Sequence, residues 1–360
     1  MKVLSLFDGM ACGALALIKC GIEIESYDAY EIEESAIATA VHNFPYIKQH
    51  GDVFKGDFTK HQDVDILLGG SPCTYWSIAQ KNDRETEASG LGWELFRQYV
   101  RAVKEAKPKF FVYENNKSMS NSIRRSIDDA FGFEAVMINS ALVSAQRRER
   151  LYWVGKRNDD GTYSKVEVTQ PEDRGILLKD ILEHGVVEKE KSYCLCSNHV
   201  GTTRDYFKKR QSQVVFEPVR IGTIENNAKN TKHDSQQYRV YSSHGKSVTL
   251  CGNGGGIGAK TGLYFVPLPE ELQGLVCDKG KIYEVKGHLI ETKSGTWDVN
   301  LPDGLYMIRK LTVRESARCQ TIPDWYDFSV VSDTNAYKQI GNGWTIDVIA
   351  HIVRSILKEE

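Results

Sequence analysis

Three short stretches carry side chains able to make and break bonds. GGSPC (69–73) closes a hydrophobic run with two glycines and a proline, then presents a lone thiol, Cys73. YENN (113–116) ends another β-like run on Glu114, and QRRER (146–150) sets Arg147, Arg148 and Arg150 at the entry of a third. A cysteine attacks as its thiolate, and a carboxyl group beside it can hold or protonate a substrate. A free cysteine also fills tight turns as a small apolar residue. Position separates the two readings, because such groups at neighbouring strand ends converge on one site. Arginines entering a buried strand are costly unless they meet anions or a polar substrate.

Two further ends suit a nucleotide-like ligand. SLFDGMACG (5–13) runs from a strand through a glycine-containing turn into a helix, which brings backbone N–H groups close to a ligand. Its glycines, Gly9 and Gly13, do not form G-x-G-x-x-G, so the turn alone is weak evidence. Glu31 closes the second candidate strand and Asp52 follows the third, read in HGDVF. An acid at the end of the second strand is where doubly wound folds hold ribose hydroxyls.

The elements that must position these residues alternate at βαβ spacing over the first 155 residues. Strands are expected in VLSLF, IEIESYDAYE, DVDILLGG, KFFVYEN, FEAVMINSALV and RLYWVGKR. Helices are expected from ALALIKCG, in IEESAIATAVHNF, and around 91 to 106 and 120 to 131. This predicts a doubly wound, Rossmann-like parallel α/β sheet over 1–171. Residues 172–305 turn rich in Gly, Asn, Ser and Lys, with short β-like runs (VVFEPVRI, QYRVYS, SVTLCG, GLYFVPL, KIYEV), and read as a smaller, mostly β and irregular domain. From Tyr306 helical periodicity resumes, and TIDVIAHIVRSILKE has the spacing of a helix packed on a sheet, so 306–360 is expected to return to the first domain.

Composition narrows the classes. With 360 residues, 41% hydrophobic and 26% charged, the chain can bury a large core, and no apolar run is long enough to span a bilayer. Asp8 cuts the opening apolar run short of a signal peptide. Eight cysteines without a closely spaced framework fit free thiols in a reducing, cytoplasmic compartment. Cys194, Cys196 and His199 lack a second pair of ligands and no His-Glu-x-x-His occurs, so no metal is expected. Net charge is only −2, yet residues 201 to 262 carry ten Lys or Arg against four Asp or Glu, a local excess of the kind phosphate contacts need. GNGGGIGAKTG (252–262) tempts a phosphate-loop reading, but Ala259 separates Gly258 from Lys260 and breaks the motif, which excludes a nucleotide triphosphatase.

Taken in order, SLFDGMACG, GGSPC, YENN, QRRER and the late QIGNGW resemble the DNA cytosine-5 methyltransferases of bacteria and phages. FDGMACG and YDAYEIEESAI look closer to the branch containing the animal de novo enzymes. The resemblance covers about residues 1 to 157 and 306 to 360, with a target-recognition region between. It implies a methyl donor, S-adenosylmethionine, and a double-stranded DNA substrate. It also implies that Cys73 adds to C6 of a flipped-out cytosine, that Glu114 holds N3 and the exocyclic amine, that Arg150 holds O2, and that Arg148 supports the loop or a phosphate. For the donor it implies Phe7 beside adenine, the turn of Asp8, Gly9, Ala11 and Gly13 near the methionine part, Glu31 on the ribose and Asp52 near the adenine amine. Pro72 would lie between the two sites, with Asn342 and Trp344 closing the pocket. The usual GNS reads GNG here, Gly343 standing for a serine.

For DNA, the candidates are Lys81 and Arg84 in a lid-like segment after Cys73, and Lys208, Lys209, Arg210, Arg239, Lys246 and Lys260 in the middle region, interleaved with Tyr206, Phe207, Tyr238 and Tyr241. A cognate restriction endonuclease is a further candidate partner. Two other readings compete: the same chemistry on transfer RNA, and a non-catalytic DNA-binding relative. The sizeable basic β-like region favours duplex DNA, and retention of Cys73 and Glu114 favours an enzyme.

Overall fold

The computed structural model describes residues 1–72, 75–77, 84–183 and 312–359, with 220–223, 239–241, 263–267, 282–292, 295–298 and 303–309. Eight strands form the first sheet: β1 (Lys2–Leu6), β2 (Ser26–Tyr30), β3 (Lys48–Gln49), β4 (Ile66–Gly69), β5 (Phe110–Asn116), β6 (Val136–Asn139), β7 (Glu149–Arg157) and β8 (Tyr163–Lys165). Their order is β3-β2-β1-β4-β5-β7-β6, with β8 on β7. The run from β3 to β5 is parallel.

The sheet is mixed rather than parallel throughout, because β7 lies antiparallel to both β5 and β6. Residues 140–148 between β6 and β7 contain only a 3-10 turn, Ser140–Leu142. A parallel return needs a crossover of a dozen or more residues, so β7 turns straight back and inserts beside β5.

Strand alternation divides the core. Val3, Tyr27, Ala29, Leu68 and Val112 face α1 (Cys12–Lys19), α2 (Glu34–Asn43) and, from the other end of the chain, the helix Ile346–Ile356. Leu4, Leu6, Leu67, Phe111 and Tyr113 face α3 (Gly90–Ala106) and α4 (Asn121–Phe131). Local signals set the helix ends. Ser120 accepts from Ile123 N to start α4, and Gly132, in the left-handed region, stops it. Thr312 and Glu315 form a capping box for α5 (Val313–Cys319). It is followed by α6 (Asp333–Asn342) and α7 (Ile346–Ile356), so the C-terminal segment returns to the first sheet.

Among the described residues a second sheet has seven strands between Arg220 and Arg309, its last being Gly304–Arg309. That strand carries the second sheet past the expected boundary at 305, and it replaces the helical start read at Tyr306. HGDVF is not a strand either. β3 ends at Gln49, and Asp52 caps a 3-10 turn over Val53–Lys55 by accepting from Phe54 N at 2.9 Å. SVTLCG falls outside the described residues.

Candidate active site

The topological switch point lies between β1 and β4, where strand order reverses. Open α/β sheets bind ligands in the crevice at that point. Leu6 is paired with Gly69, so the SLFDGMACG turn and the GGSP turn leave the sheet side by side. Gly69 is paired with Tyr113, which brings Gly70 against Glu114 on β5. A Cβ on Gly70 would stand 2.8 Å from Glu114 Oε2 and 2.9 Å from its backbone oxygen, so only glycine allows this approach. On the other face of β5, Asn115 Nδ2 donates to Ser71 O at 3.2 Å and the Ser71 and Tyr113 hydroxyls meet at 2.6 Å. These contacts fix the turn up to the exposed Pro72. Cys73 and Lys81 lie outside the described residues.

Glu114 is held from two sides. Arg150 Nε lies 3.0 Å from Oε1, and Trp344 Nε1 donates to Oε2 at 3.0 Å. Arg150 reaches across because β5 and β7 pair Asn116 with Arg150 and Glu114 with Tyr152, setting Glu114 and Arg150 on one face. Arg150 also donates through Nη1 to Glu149 O. The carboxylate is nearly buried and its orientation is determined on both oxygens.

Arg148, expected to support the loop or a phosphate, is directed to the C-terminal motif. It is buried, and its Nη2 donates to Gly341 O at 3.1 Å and Gly343 O at 3.0 Å. It therefore fastens the QIGNGW motif to β7 and positions Trp344. Buried glutamines complete the fastening. Gln146 Nε2 donates to Gln320 Oε1, Thr345 Oγ1 donates to that same oxygen, and Gln320 Nε2 donates to Ile340 O and Gly343 O. Sequence reasoning passed over Gln146, Gln320 and Thr345, since single polar residues carry no readable spacing. Arg147 pairs with Glu149 at 3.6 Å.

The first turn has the strain of a ligand-binding loop. Phe7, Gly9 and Ala11 all have positive φ, at 57°, 59° and 62°. A Cβ on Gly9 would meet nothing within 4 Å, so the turn opens onto free space. Gly13 lets α1 lie against β4 and β2, since its Cβ would come within 2.6 Å of Leu68 and 2.8 Å of Tyr27. Asp8 accepts from the Ser5 and Tyr27 hydroxyls, each at 2.6 Å, through Oδ1. Its Oδ2 is buried with no partner among the described residues. Burial pushes its carboxyl up to about 6 against the opposing pull of those two hydrogen bonds.

Glu31 is fixed by backbone N–H groups, with Gly9 on Oε2 at 2.9 Å and Ile32 and Glu33 on Oε1 at 2.8 Å each. It thus ties the first turn to the end of β2. Beside these acids, Ile32 is 72% and Phe54 44% exposed. Apolar side chains open to solvent next to Glu31 and Asp52 suit the faces of an adenine ring. Neither was singled out from sequence; an apolar residue just past an acidic strand end is the signal that could have found them. The strained open turn, the fixed Glu31, the unpartnered Asp8 oxygen and these apolar faces together fit a nucleoside-bearing sulfonium donor.

Asn342 is exposed at the end of α6, and Trp344 points to Glu114 rather than standing only in a donor pocket. Cys12 is buried beneath Gly343, and burial pushes its thiol up to about 12, so it is no nucleophile.

A family profile, C-5 cytosine-specific DNA methylase, matches residues 1–358. The chain belongs to that family. It is therefore a DNA cytosine-5-methyltransferase. Similar proteins include the type II methyltransferase M.HhaI of Haemophilus parahaemolyticus, 27% identical over 99% of this chain and 94% of that protein. The orphan methyltransferase M.SPRI of Bacillus phage SPR is 26% identical over 99% and 97%. M.Rho11sI of Bacillus phage rho11s is 29% identical over 75% of this chain, and the match spans 61% of that enzyme's length. Among solved structures, the Entamoeba histolytica methyltransferase EhMeth superposes with a TM-score of 0.62 at 13% identity, covering 100% and 98% of the two chains. The S. pombe Dnmt2 methyltransferase gives 0.58 at 13%. These two likenesses concern the fold.

Arg84, expected at DNA, is engaged within the protein. Its Nε donates to Trp76 O and its Nη2 to Ser118 O at 2.6 Å, so the guanidinium links Trp76 to the β5–α4 connection. Glu85 reinforces it, accepting from Trp76 Nε1 and Gly92 N. Lys208, Lys209, Arg210, Lys246 and Lys260 lie outside the described residues, as do Tyr206, Phe207 and Tyr238. Arg239 lies in a strand of the second sheet, Arg239–Tyr241. Among the described residues no helix is long and apolar enough to cross a membrane.

Proposed function

We propose that this enzyme methylates C5 of a flipped-out cytosine at a short recognition sequence in duplex DNA, through a covalent adduct at Cys73. The observation that carries the reading is Glu114, gripped by Arg150 and Trp344 beside the turn that leads to residue 73. Cytosine C5 is a weak nucleophile. Attack of the Cys73 thiolate forms an S–C6 bond and moves the C5–C6 electron pair toward C5 and the ring, which Glu114 at N3 and the amine, and Arg150 at O2, accommodate. S-adenosylmethionine, when bound, would supply an electrophilic methyl group for C5, its sulfonium becoming a neutral thioether. Removal of the C5 proton by a water-borne base then expels Cys73 as thiolate and restores the ring.

Phe7, Ile32 and Phe54 would flank adenine, Glu31 would accept from ribose hydroxyls, and Asp52 from the adenine amine. The Asp8 to Gly13 turn would hold the methionine part, with the Asp8 Oδ2 oxygen free to accept from its ammonium group. We assign the catalytic domain to 1–171 with the C-terminal segment. Target recognition falls to the region from 172 through the second sheet, whose basic excess at 201 to 262 suits phosphate contacts. Lys208, Lys209, Arg210, Arg239, Lys246 and Lys260 are its candidate DNA contacts, with Lys81 in the catalytic domain beside them as a further one.

The test is transfer of labelled methyl groups to unmethylated duplex DNA and to transfer RNA in parallel, with 5-methylcytosine mapped at base resolution. Label at one recurring DNA motif supports the reading and names the specificity. Label in transfer RNA alone overturns the substrate, and equal turnover by Cys73→Ala overturns the mechanism.

A further inference from the structure

The geometry points to a divalent transition-metal site, of the zinc class, formed by Asp28, His50 and His61 on the outer edge of the first sheet. One donor atom from each lies within 4.8 Å of the others. The three come from separate segments: Asp28 from β2, His50 from the residue after β3, and His61 from the last position of a 3-10 turn, Phe58–His61. His50 Nε2 is 2.7 Å from Asp28 Oδ1, and the two imidazole rings stand 5.0 Å apart at 79°. Two histidines and a carboxylate are a ligand set suited to zinc and its neighbours. Tetrahedral ligands about 2.0–2.1 Å from zinc stand roughly 3.3 Å apart, so side-chain adjustments of about 1 Å admit the ion.

Their surroundings hold the two rings in place. Tyr30 stacks on His50 at 5.1 Å, and its hydroxyl lies 3.1 Å from His61 Nε2, fixing both rings as second partners of metal-bound histidines do. A simple His50–Asp28 ion pair gives no role to a second imidazole placed edge-on against the first.

The site has a structural consequence. β3 is only two residues long, yet it leads through His50 and Gly51 to Asp52, while Tyr30 leads to Glu31. An ion joining β2, residue 50 and the 3-10 turn would clip this short edge strand and stiffen the two acidic strand ends together.

The full-length protein, stripped with a chelator and dialysed, should bind one equivalent of Co2+ with the visible bands of a nitrogen and oxygen site and no thiolate charge-transfer band. Zn2+ should displace it and raise Tm by several degrees. His50→Gln/His61→Gln, checked for folding by circular dichroism in chelator, should lose both effects. Absence of a one-equivalent site in the wild type at about 100 μM Co2+ overturns the proposal, whatever the variant does. A thiolate band on that equivalent, or equal binding by the folded variant, overturns it as well.

Discussion

Trp344 donates its indole N–H to Glu114 Oε2 at 3.0 Å, joining residues 230 positions apart. With Arg150 on the other oxygen, this leaves the carboxylate one orientation, set by two strands and the C-terminal motif. Pre-set hydrogen bonds of this kind cost no reorganisation when charge develops on a bound base. Trp344→Phe keeps the ring's bulk and removes the donor. It should cost about 1–2 kcal/mol of stability and lower single-turnover methyl transfer roughly tenfold, with DNA affinity little changed. Urea unfolding and single-turnover rates measure both. An unchanged rate would mean that the orientation of Glu114 does not limit the chemistry.

Glu114→Gln preserves shape but removes the charge facing Arg150, whose side chain is only 14% exposed. Breaking such a pair leaves a charge poorly compensated, at a cost of about 2–3 kcal/mol. Loss of the group that supports N3 protonation should lower kcat by about 10²–10⁴. A variant within tenfold of wild type would remove Glu114 from the reacting base.

Gly343 and Cys12 form a packing pair. A Cβ at 343 would lie 3.0 Å from Cys12 Sγ, 3.0 Å from Met10 Cε and 3.1 Å from Gln339 O. A serine at 343 would be crowded by this thiol, by Met10 and by the Gln339 carbonyl. Gly343→Ala should destabilise by about 1–2 kcal/mol, and Cys12→Ala in the same chain should recover about 0.5–1 kcal/mol beyond additivity. Strictly additive urea-unfolding energies would show that the two positions do not share the space.

Much of the fold was legible because β1, β4 and β5 each contain a largely apolar run, and α4 and α7 have clear amphipathic spacing. The direction of β7 was not, since strand orientation depends on the length and path of residues 140–148 rather than on the strand's own pattern. Gly304–Arg309 was misread because a run of four apolar residues, Leu305 to Ile308, fits a buried strand or a helix turn equally well. At the site, motif order located Glu114 and Arg150. It could not tell that Arg148 and Arg84 direct their donors to backbone carbonyls, because an arginine's partner is a tertiary fact. The Asp28, His50 and His61 cluster was equally hidden, its members having no metal-motif spacing.

Asp8 gives the fold a pH dependence of defined sign. Folded Asp8 keeps its proton up to about pH 6, whereas its ordinary value is 3.8. Between those values the folded state binds more protons than the unfolded chain, so stability falls as pH rises and levels off above about 6. A carboxyl held this far above its ordinary value corresponds to a loss of up to about 3 kcal/mol across that interval. Asp8→Asn keeps an acceptor for Ser5 and Tyr27 and cannot ionise. Measured by urea unfolding between about pH 4.5 and 7.5, the variant should therefore gain on the wild type by about 1–3 kcal/mol across that range. A constant difference would mean that Asp8 ionises in the folded protein as it does in the unfolded chain. Saturating S-adenosylmethionine supplies the second arm. If its ammonium meets Asp8 Oδ2, it favours the carboxylate, so the wild type's decline with pH should flatten in its presence while the variant's profile keeps its shape.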